Sequence, residues 1–295
     1  MEPTPLRYTP YDGSRRPFSI GLEPLDRTRW IEPDALLLDE LAQKDQLIAE
    51  KRDVVFIERW DTRASQMEVR DALVEYLLAH HSGRFRREAD VIVIDDSRRV
   101  ALGEDAPLIA ASKIVQDDLC IMRRESDGWR LVAASLCFPS SWSLREKFDL
   151  PMEAIHAHVP GFPGQMGARV SRIFDNLKID MPVWRLNWSI YSDGELHHPE
   201  SKSGPRQWTG VGAFAANAFV RVERQTLARM PLSGDILFTI RVYADPVTAF
   251  RSHPRGRELA SSLSAQLQSL DELQLRYKNL LSDRDRAVAA LAALV

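Results

Sequence analysis

Cysteine is nearly absent from this chain. Two residues in 295, Cys120 and Cys137, cannot supply a disulfide framework, a four-cysteine metal site or an iron–sulfur cluster. Both stand in apolar, strand-like runs, where a free thiol behaves as a small hydrophobe. Long apolar runs are missing too, since no stretch of about eighteen apolar residues occurs and membrane helices are excluded. The opening MEPTPLRYTPYDGSRRP lacks the apolar region of a secretory leader. Charge is balanced: 39 Lys and Arg against 42 Asp and Glu give a formal net charge of −3, with no basic block to hold nucleic acid. No Gly-rich dinucleotide fingerprint is present. These absences lead to the expectation of a soluble, cytoplasmic protein that binds neither DNA nor membrane.

What remains is an ordinary globular composition, 44% hydrophobic and 27% charged. We read it as a single unit over 1–295, with a core at about 117–245. An N-terminal arm and helices occupy 1–116, and C-terminal helices occupy 246–295. Residues 1–33 are rich in Pro and Arg and suggest an extended arm. Asp34 can cap a helix that presents Leu37, Leu41 and Ile48. Val54–Ile57 could form a short strand. Ser65-Gln66-Met67-Glu68 reads as a capping box opening a helix through Val69, Leu73, Tyr76 and Leu77. That helix ends at His80-His81-Ser82-Gly83, where the histidines suit a helix C-terminus better than a metal.

From Asp118 the pattern turns to sheet. Leu119–Arg124 and Trp129–Phe138 flank the hairpin signal Glu125-Ser126-Asp127-Gly128. After the second strand, Pro139 breaks the chain. A second capping box, Ser143–Glu146, restarts it as helix, and His156 and His158 enter a turn closed by Val159-Pro160-Gly161. A helix is expected over Gly164–Asp180, stopped by Pro182. Three strands follow: Trp184–Tyr191, Phe219–Thr226 and Ile236–Tyr243. The last two are joined by the turn Pro231–Asp235. The loop Ser192–Gly212 is long enough to suspect function. Arg257–Leu281 reads as one amphipathic helix, and Ala287–Val295 as an apolar tail docking on the domain. Five strands with helices in the second connection point to an α+β fold with a PAS-like five-stranded antiparallel sheet, whose helical crossover walls a ligand pocket.

Read as residues alone, His156 is either a ligand or a structural histidine satisfied by backbone carbonyls. Strand alternation separates Glu223 from Arg224, which shares its face with Val220 and Val222. It also groups Arg185, Asn187 and Tyr191 against Leu186, Trp188 and Ile190. Trp188 suits the core. His197-His198 precede Pro199 as exposed loop residues, a metal or proton-relay role being the alternative.

Several segments in order resemble one known family. These are Cys137-Phe138-Pro139-Ser140 with Trp142, Ile155-His156 with Val159-Pro160-Gly161, and Arg185-x-Asn187-Trp188. Arg221–Leu227 with Pro231, Phe238-Thr239-Ile240-Arg241 and Tyr277-Lys278 complete the set. The family is that of the haem-dependent oxidative N-demethylase alpha subunit, and the resemblance spans roughly 17–285. One departure is His158, which stands where the family usually has Pro.

The resemblance implies a haem b-binding PAS-like subunit that uses O2 to demethylate a small alkylamine, releasing formaldehyde. Electrons would come from NADPH through FMN and 2Fe–2S centres on partner subunits. His156 then becomes the expected axial iron ligand, with His158 second. Cys137, mid-strand and without a flanking glycine loop, is assigned to the core rather than to thiolate ligation. Arg224, with Arg185, Asn187 or Tyr191, would line the distal side, where a guanidinium stabilises charge as oxygen is reduced. A structural ion pair is the alternative for Arg224. Arg185, Arg221 and Arg241 are candidate cofactor contacts, the last two through propionates or else simple salt bridges. Glu223, Glu195 and Glu200 compete as the carboxylate for a cationic amine. Two rivals stand beside this reading: a PAS-type haem or small-molecule sensor, and a non-haem metal enzyme using His156, His158 and a carboxylate.

Overall fold

The computed structural model describes residues 6–200 and 211–294. The first part of the Ser192–Gly212 loop is included, while 201–210 lie outside the described residues. A two-residue strand, β1 (Glu23–Pro24), precedes helix α1 (Leu37–Glu50), which buries Leu37, Leu41 and Ile48. One helical turn, α2 (Arg52–Val55), leads into β2 (Phe56–Glu58). Helix α3 (Arg63–His80) follows.

The Ser65 capping box does not form. Helix α3 starts earlier, and Ser65 lies inside it, its Oγ donating to Asp235 at 2.7 Å. The Glu68 carboxylate accepts from the Leu232 and Ser233 amides at 2.6 and 2.9 Å, so it holds a distant turn and not its own helix. Beyond α3 lies a three-stranded antiparallel sheet that the sequence reading passed over: β3 (Phe85–Glu88), β4 (Val91–Ile94) and β5 (Arg98–Ala101).

After α4 (Pro107–Ser112) the main sheet begins with β6 (Asp118–Glu125) and β7 (Gly128–Ser135). The crossover carries α5 (Leu144–Lys147), α6 (Met152–Ile155) and α7 (Gly167–Asn176). The expected start of α7 at Gly164 moves to Gly167, because Pro163 and Gly164 take non-helical angles within a preceding π-turn. Then come β8 (Val183–Tyr191), α8 (Val211–Asn217), β9 (Phe219–Arg229) and β10 (Ile236–Pro246). Three helices close the chain: α9 (Gly256–Ser269), α10 (Glu272–Tyr277) and α11 (Arg284–Leu294). The single long helix expected over Arg257–Leu281 breaks because the Asp271 side chain caps a fresh start at α10, with Gln274 completing the box.

The fold is α+β, but the main sheet has seven strands where five were expected. Its order is β1-β8-β9-β10-β6-β7-β2, all antiparallel. The five expected strands are its contiguous centre. The additions are edge strands: β1, two residues and too short to show a period, and β2, which overlaps the short strand expected at Val54–Ile57, whose first two residues belong instead to α2.

The sheet is covered on both faces. One face carries Cys120, Met122, Leu227, Ile240 and Val242 and packs under Met152, Phe162 and Phe174 of the crossover. The other carries Leu119, Ile121 and Leu237 toward the N-terminal helices, and Trp188, Ile190, Val220 and Val222 toward α9 and α11. No helix among the described residues is long and apolar enough to cross a membrane.

Candidate functional site

The crossover is held to the sheet by buried charge. As β7 ends, the Asp118 carboxylate accepts from the Cys137 and Phe138 amides at 2.8 Å each. The chain then turns over Arg221, whose guanidinium donates to Ser140 Oγ and to the carbonyls of Phe138, Pro139, Glu195 and Leu196 at 2.8–3.2 Å. Arg221 therefore ties the strand exit to the loop after β8. It lies on the inner face as a clamp, its nitrogens taken up by backbone. Cys137 is a buried free thiol pushed up to about 12 by burial. This suits the core assignment and not a reactive thiolate.

Further on, the Ser143 hydroxyl caps α5 through Glu146 N at 3.4 Å, and Pro151 opens the single turn of α6. His156 terminates that turn. Its backbone N and its ring Nδ1 both point at the Met152 carbonyl, at 3.1 and 2.9 Å. A carbonyl only accepts, so Nδ1 carries the proton and Nε2 is the lone-pair nitrogen. The ring stacks on Phe162 with centroids 4.5 Å apart and planes 20° from parallel. Gly161 makes this possible at φ +79°, returning the chain so that Phe162 lies against the imidazole. Burial, with Lys147 and Arg185 nearby, holds the ring below its ordinary pKa and keeps it neutral. His158 is exposed at the turn's surface.

Beneath the crossover, β8 and β9 place Asn187 opposite Glu223 and Arg185 opposite Gln225. Alternation puts all four on the crossover side. Glu223 Oε2 accepts from Asn187 Nδ2 at 3.2 Å and Gln225 Nε2 at 2.8 Å. Of the three candidate carboxylates, Glu223 alone is buried, while Glu195 and Glu200 are exposed. Tyr191 lies on the same face, 2.8 Å from the Ser141 hydroxyl and with Arg221 above its ring. From α10, Tyr277 reaches the same neighbourhood. Its hydroxyl is pushed up to about 12 by burial first, then by Glu223 and Tyr191, with Arg185 opposing. In the sequence Tyr277 is marked only by the Tyr277-Lys278 motif, because a helix 36 positions beyond β10's Arg241 offers no period that aims it at β8 and β9. An open cleft of about 350 Å³ lies between the crossover turn and α10, lined by His158, Val159, Pro160, Leu273, Arg276 and Tyr277.

Two expected site residues are not brought to this place. Arg224 and Arg241 sit opposite each other across β9 and β10 and point to the other face. Arg224 donates to the Arg29 and Trp30 carbonyls and lies 3.6 Å from Glu32. Arg241 pairs Glu40 at 2.6 Å and Asp34 at 2.8 Å. Both guanidiniums fasten the N-terminal arm and α1 to the back of the sheet, away from His156. The expectation for Arg224 was conditional on its face being the inner one, and the structure puts Arg224 on the face opposite the crossover.

Among the described residues no group of three or more His, Cys, Asp and Glu side chains is placed to share a metal ion. A non-haem centre built from His156, His158 and a carboxylate has no counterpart there. His197 Nδ1 lies 2.8 Å from the Cys137 carbonyl, and His198 Nε2 lies 3.1 Å from Asp193, so the pair braces the loop. His81 likewise ends α3 with Nε2 3.0 Å from the Ile31 carbonyl. The site thus offers one neutral imidazole of fixed tautomer on the crossover, facing a charged and amide-rich strip of sheet. The sequence model of the family described as haem-dependent oxidative N-demethylase, alpha subunit-like, matches residues 21–288, and the chain belongs to that family.

Proposed function

We propose that this chain is the haem-carrying subunit of an O2-dependent demethylase that removes a methyl group from a small alkylamine and releases formaldehyde. Electrons reach it from a separate NADPH-, FMN- and 2Fe–2S-containing reductase, since the two buried free cysteines cannot hold such a cluster. The observation that carries the reading is the His156 ring. A haem needs one strong axial donor from the protein, and ligating imidazoles commonly donate their second N–H to a carbonyl. His156 has that arrangement with Met152 at 2.9 Å. The five central strands β8-β9-β10-β6-β7, with the ligand-bearing connection between β7 and β8, support a PAS-like arrangement of the core.

Bound haem supplies the oxygen and electron chemistry. The chain's own residues hold the amine. Glu223 offers a buried carboxylate to an alkylammonium, with Asn187 and Gln225 fixing one of its oxygens and leaving Oε1 for the substrate. Tyr191 and Tyr277 flank it and exclude water from that end of the strip. His158 is exposed in the open cleft, whereas His156 is enclosed with Arg185 nearby, which favours His156 as the ligand.

An optical spectrum after haem reconstitution tests the reading. A Soret band is expected in the wild type and its loss in His156→Ala; an unchanged spectrum in that variant would move the ligand to His158. Amine-dependent oxygen uptake with an electron donor then separates an enzyme from a sensor.

A further inference from the structure

We propose that the amine bound here carries its own carboxylate: the site is shaped for a zwitterion, an N-methylated amino acid, with Glu223 taking the ammonium end and Arg185 the carboxylate end. The inference rests on the demethylase reading and names its substrate class. It starts from the register. Arg185 lies opposite Gln225, and Asn187 lies opposite Glu223, so Arg185 and Glu223 occupy a diagonal of one cross-strand square. Diagonal neighbours on a sheet face stand about 7–8 Å apart, within reach of a long side chain. Opposite charges so placed ordinarily close on each other.

Here they do not. Among the described residues the Arg185 side chain forms no ion pair within 4.0 Å and donates no hydrogen bond, and its Nε is enclosed without a partner. The other inner and outer arginines of the sheet behave differently. Arg221 is filled by carbonyls and Ser140, and the terminal nitrogens of Arg224 and Arg241 are filled by carbonyls and carboxylates. Glu223 is held back by two amide donors on Oε2, while Oε1 accepts nothing among the described residues. A cation and an anion are thus kept apart on one face, each with unused hydrogen-bonding capacity, under the wall that carries His156. Such separation is unfavourable for the protein alone. A molecule with a positive and a negative end a few atoms apart satisfies both. A bare alkylammonium satisfies only Glu223 and sits beside an uncompensated guanidinium. Tyr277, which lines the open cleft of about 350 Å³, is itself a neighbour of both Glu223 and Arg185.

A propionate of the haem is the other source of a carboxylate for Arg185, and the experiment separates the two. The haem-loaded full-length chain, without electron donor, is titrated calorimetrically with N,N-dimethylglycine, dimethylamine and acetate. Dimethylglycine should bind at least about tenfold more tightly than either fragment, as one charge-assisted pair supplies. Arg185→Gln should bring it to the level of dimethylamine while the Soret band and haem affinity stay as in wild type. Should that variant fail to fold, Arg185→Lys, which keeps charge but loses the planar fork, should still lose part of the preference. Dimethylamine binding as tightly as dimethylglycine overturns the proposal. So does a preference that survives substitution while haem affinity falls, which would assign Arg185 to the cofactor. The titration needs no turnover, so absent oxygen uptake counts against the demethylase reading and leaves the zwitterion test standing on the binding isotherms.

Discussion

Lys44 and Asp118 meet where α1 crosses the sheet, both fully buried, with Nζ 3.7 Å from the carboxylate. Lys44 also donates to the Asp117 carbonyl and lies 3.4 Å from Ser112 Oγ. Neither charge can reach water, so removing one strands the other. Lys44→Met is expected to cost about 3–5 kcal/mol of unfolding free energy, measured by denaturant titration; a loss under about 1 kcal/mol would contradict the pairing. The Asp118 carboxyl is pushed up to about 6, chiefly by burial, despite Lys44 and the two amides it caps. A folded pKa above the unfolded value means that the proton is held more tightly in the native state. Its stabilising contribution is then complete below about pH 4 and lost as pH rises through 6. Stability of Asp118→Asn relative to wild type should therefore improve by about 3 kcal/mol between pH 4 and 7 and stay flat above. None of this was readable beforehand. Asp118 marked only the place where the sheet pattern begins, since a buried acid and a surface acid look the same in sequence.

Elements were legible in proportion to their length and to how local their causes are. The strands β6 and β7 stand out as apolar runs and β8 to β10 as strand-like segments, and their hairpin signals at Glu125–Gly128 and Pro231–Asp235 are turns in the structure. Capping boxes were half right. Ser143 caps α5, whereas Ser65 bonds Asp235, a partner 170 residues away that no local motif announces. The start of α9 shows the same dependence on distant geometry. A Cβ on Gly256 would stand 1.7 Å from the Phe250 carbonyl oxygen, because the 3-10 turn Val247–Arg251 folds directly under the helix. Gly212, early in α8, has nothing among the described residues within 4 Å of that position. Gly256→Ala should thus destabilise by about 1–3 kcal/mol. Gly212→Ala should be neutral or stabilising by up to about 1 kcal/mol, as Ala is the better helix former. Thermal melts of the two variants decide it, and a harmless Gly256→Ala would mean that α9 starts elsewhere.

At the scale of the molecule, the sheet is a partition. One face carries Arg185, Asn187 and Glu223 under the crossover that holds His156, and the other face carries Arg224 and Arg241 beneath the N-terminal arm and α1. Alternation gave the two sets, but deciding which faces the crossover required knowing what packs where, and that is a property of the whole chain. The partition makes a double dissociation the decisive experiment. His156 contributes little to the fold beyond its contacts with Phe162 and the Met152 carbonyl, so His156→Ala should lose the Soret band while its apo-protein melts within a few degrees of wild type. Arg224 is the reverse case. Its removal takes away the farthest of three guanidiniums around the Glu32 carboxylate, which keeps Arg29 at 2.8 Å and Arg7 at 3.1 Å, and frees the Arg29 and Trp30 carbonyls. Arg224→Met should cost about 1–3 kcal/mol by denaturant titration, chiefly through the two unsatisfied carbonyls, and, at temperatures where the variant is folded, bind haem with an unshifted Soret band. A variant stable as wild type but with an altered haem spectrum would return Arg224 to the haem side and reverse the assignment of the two faces.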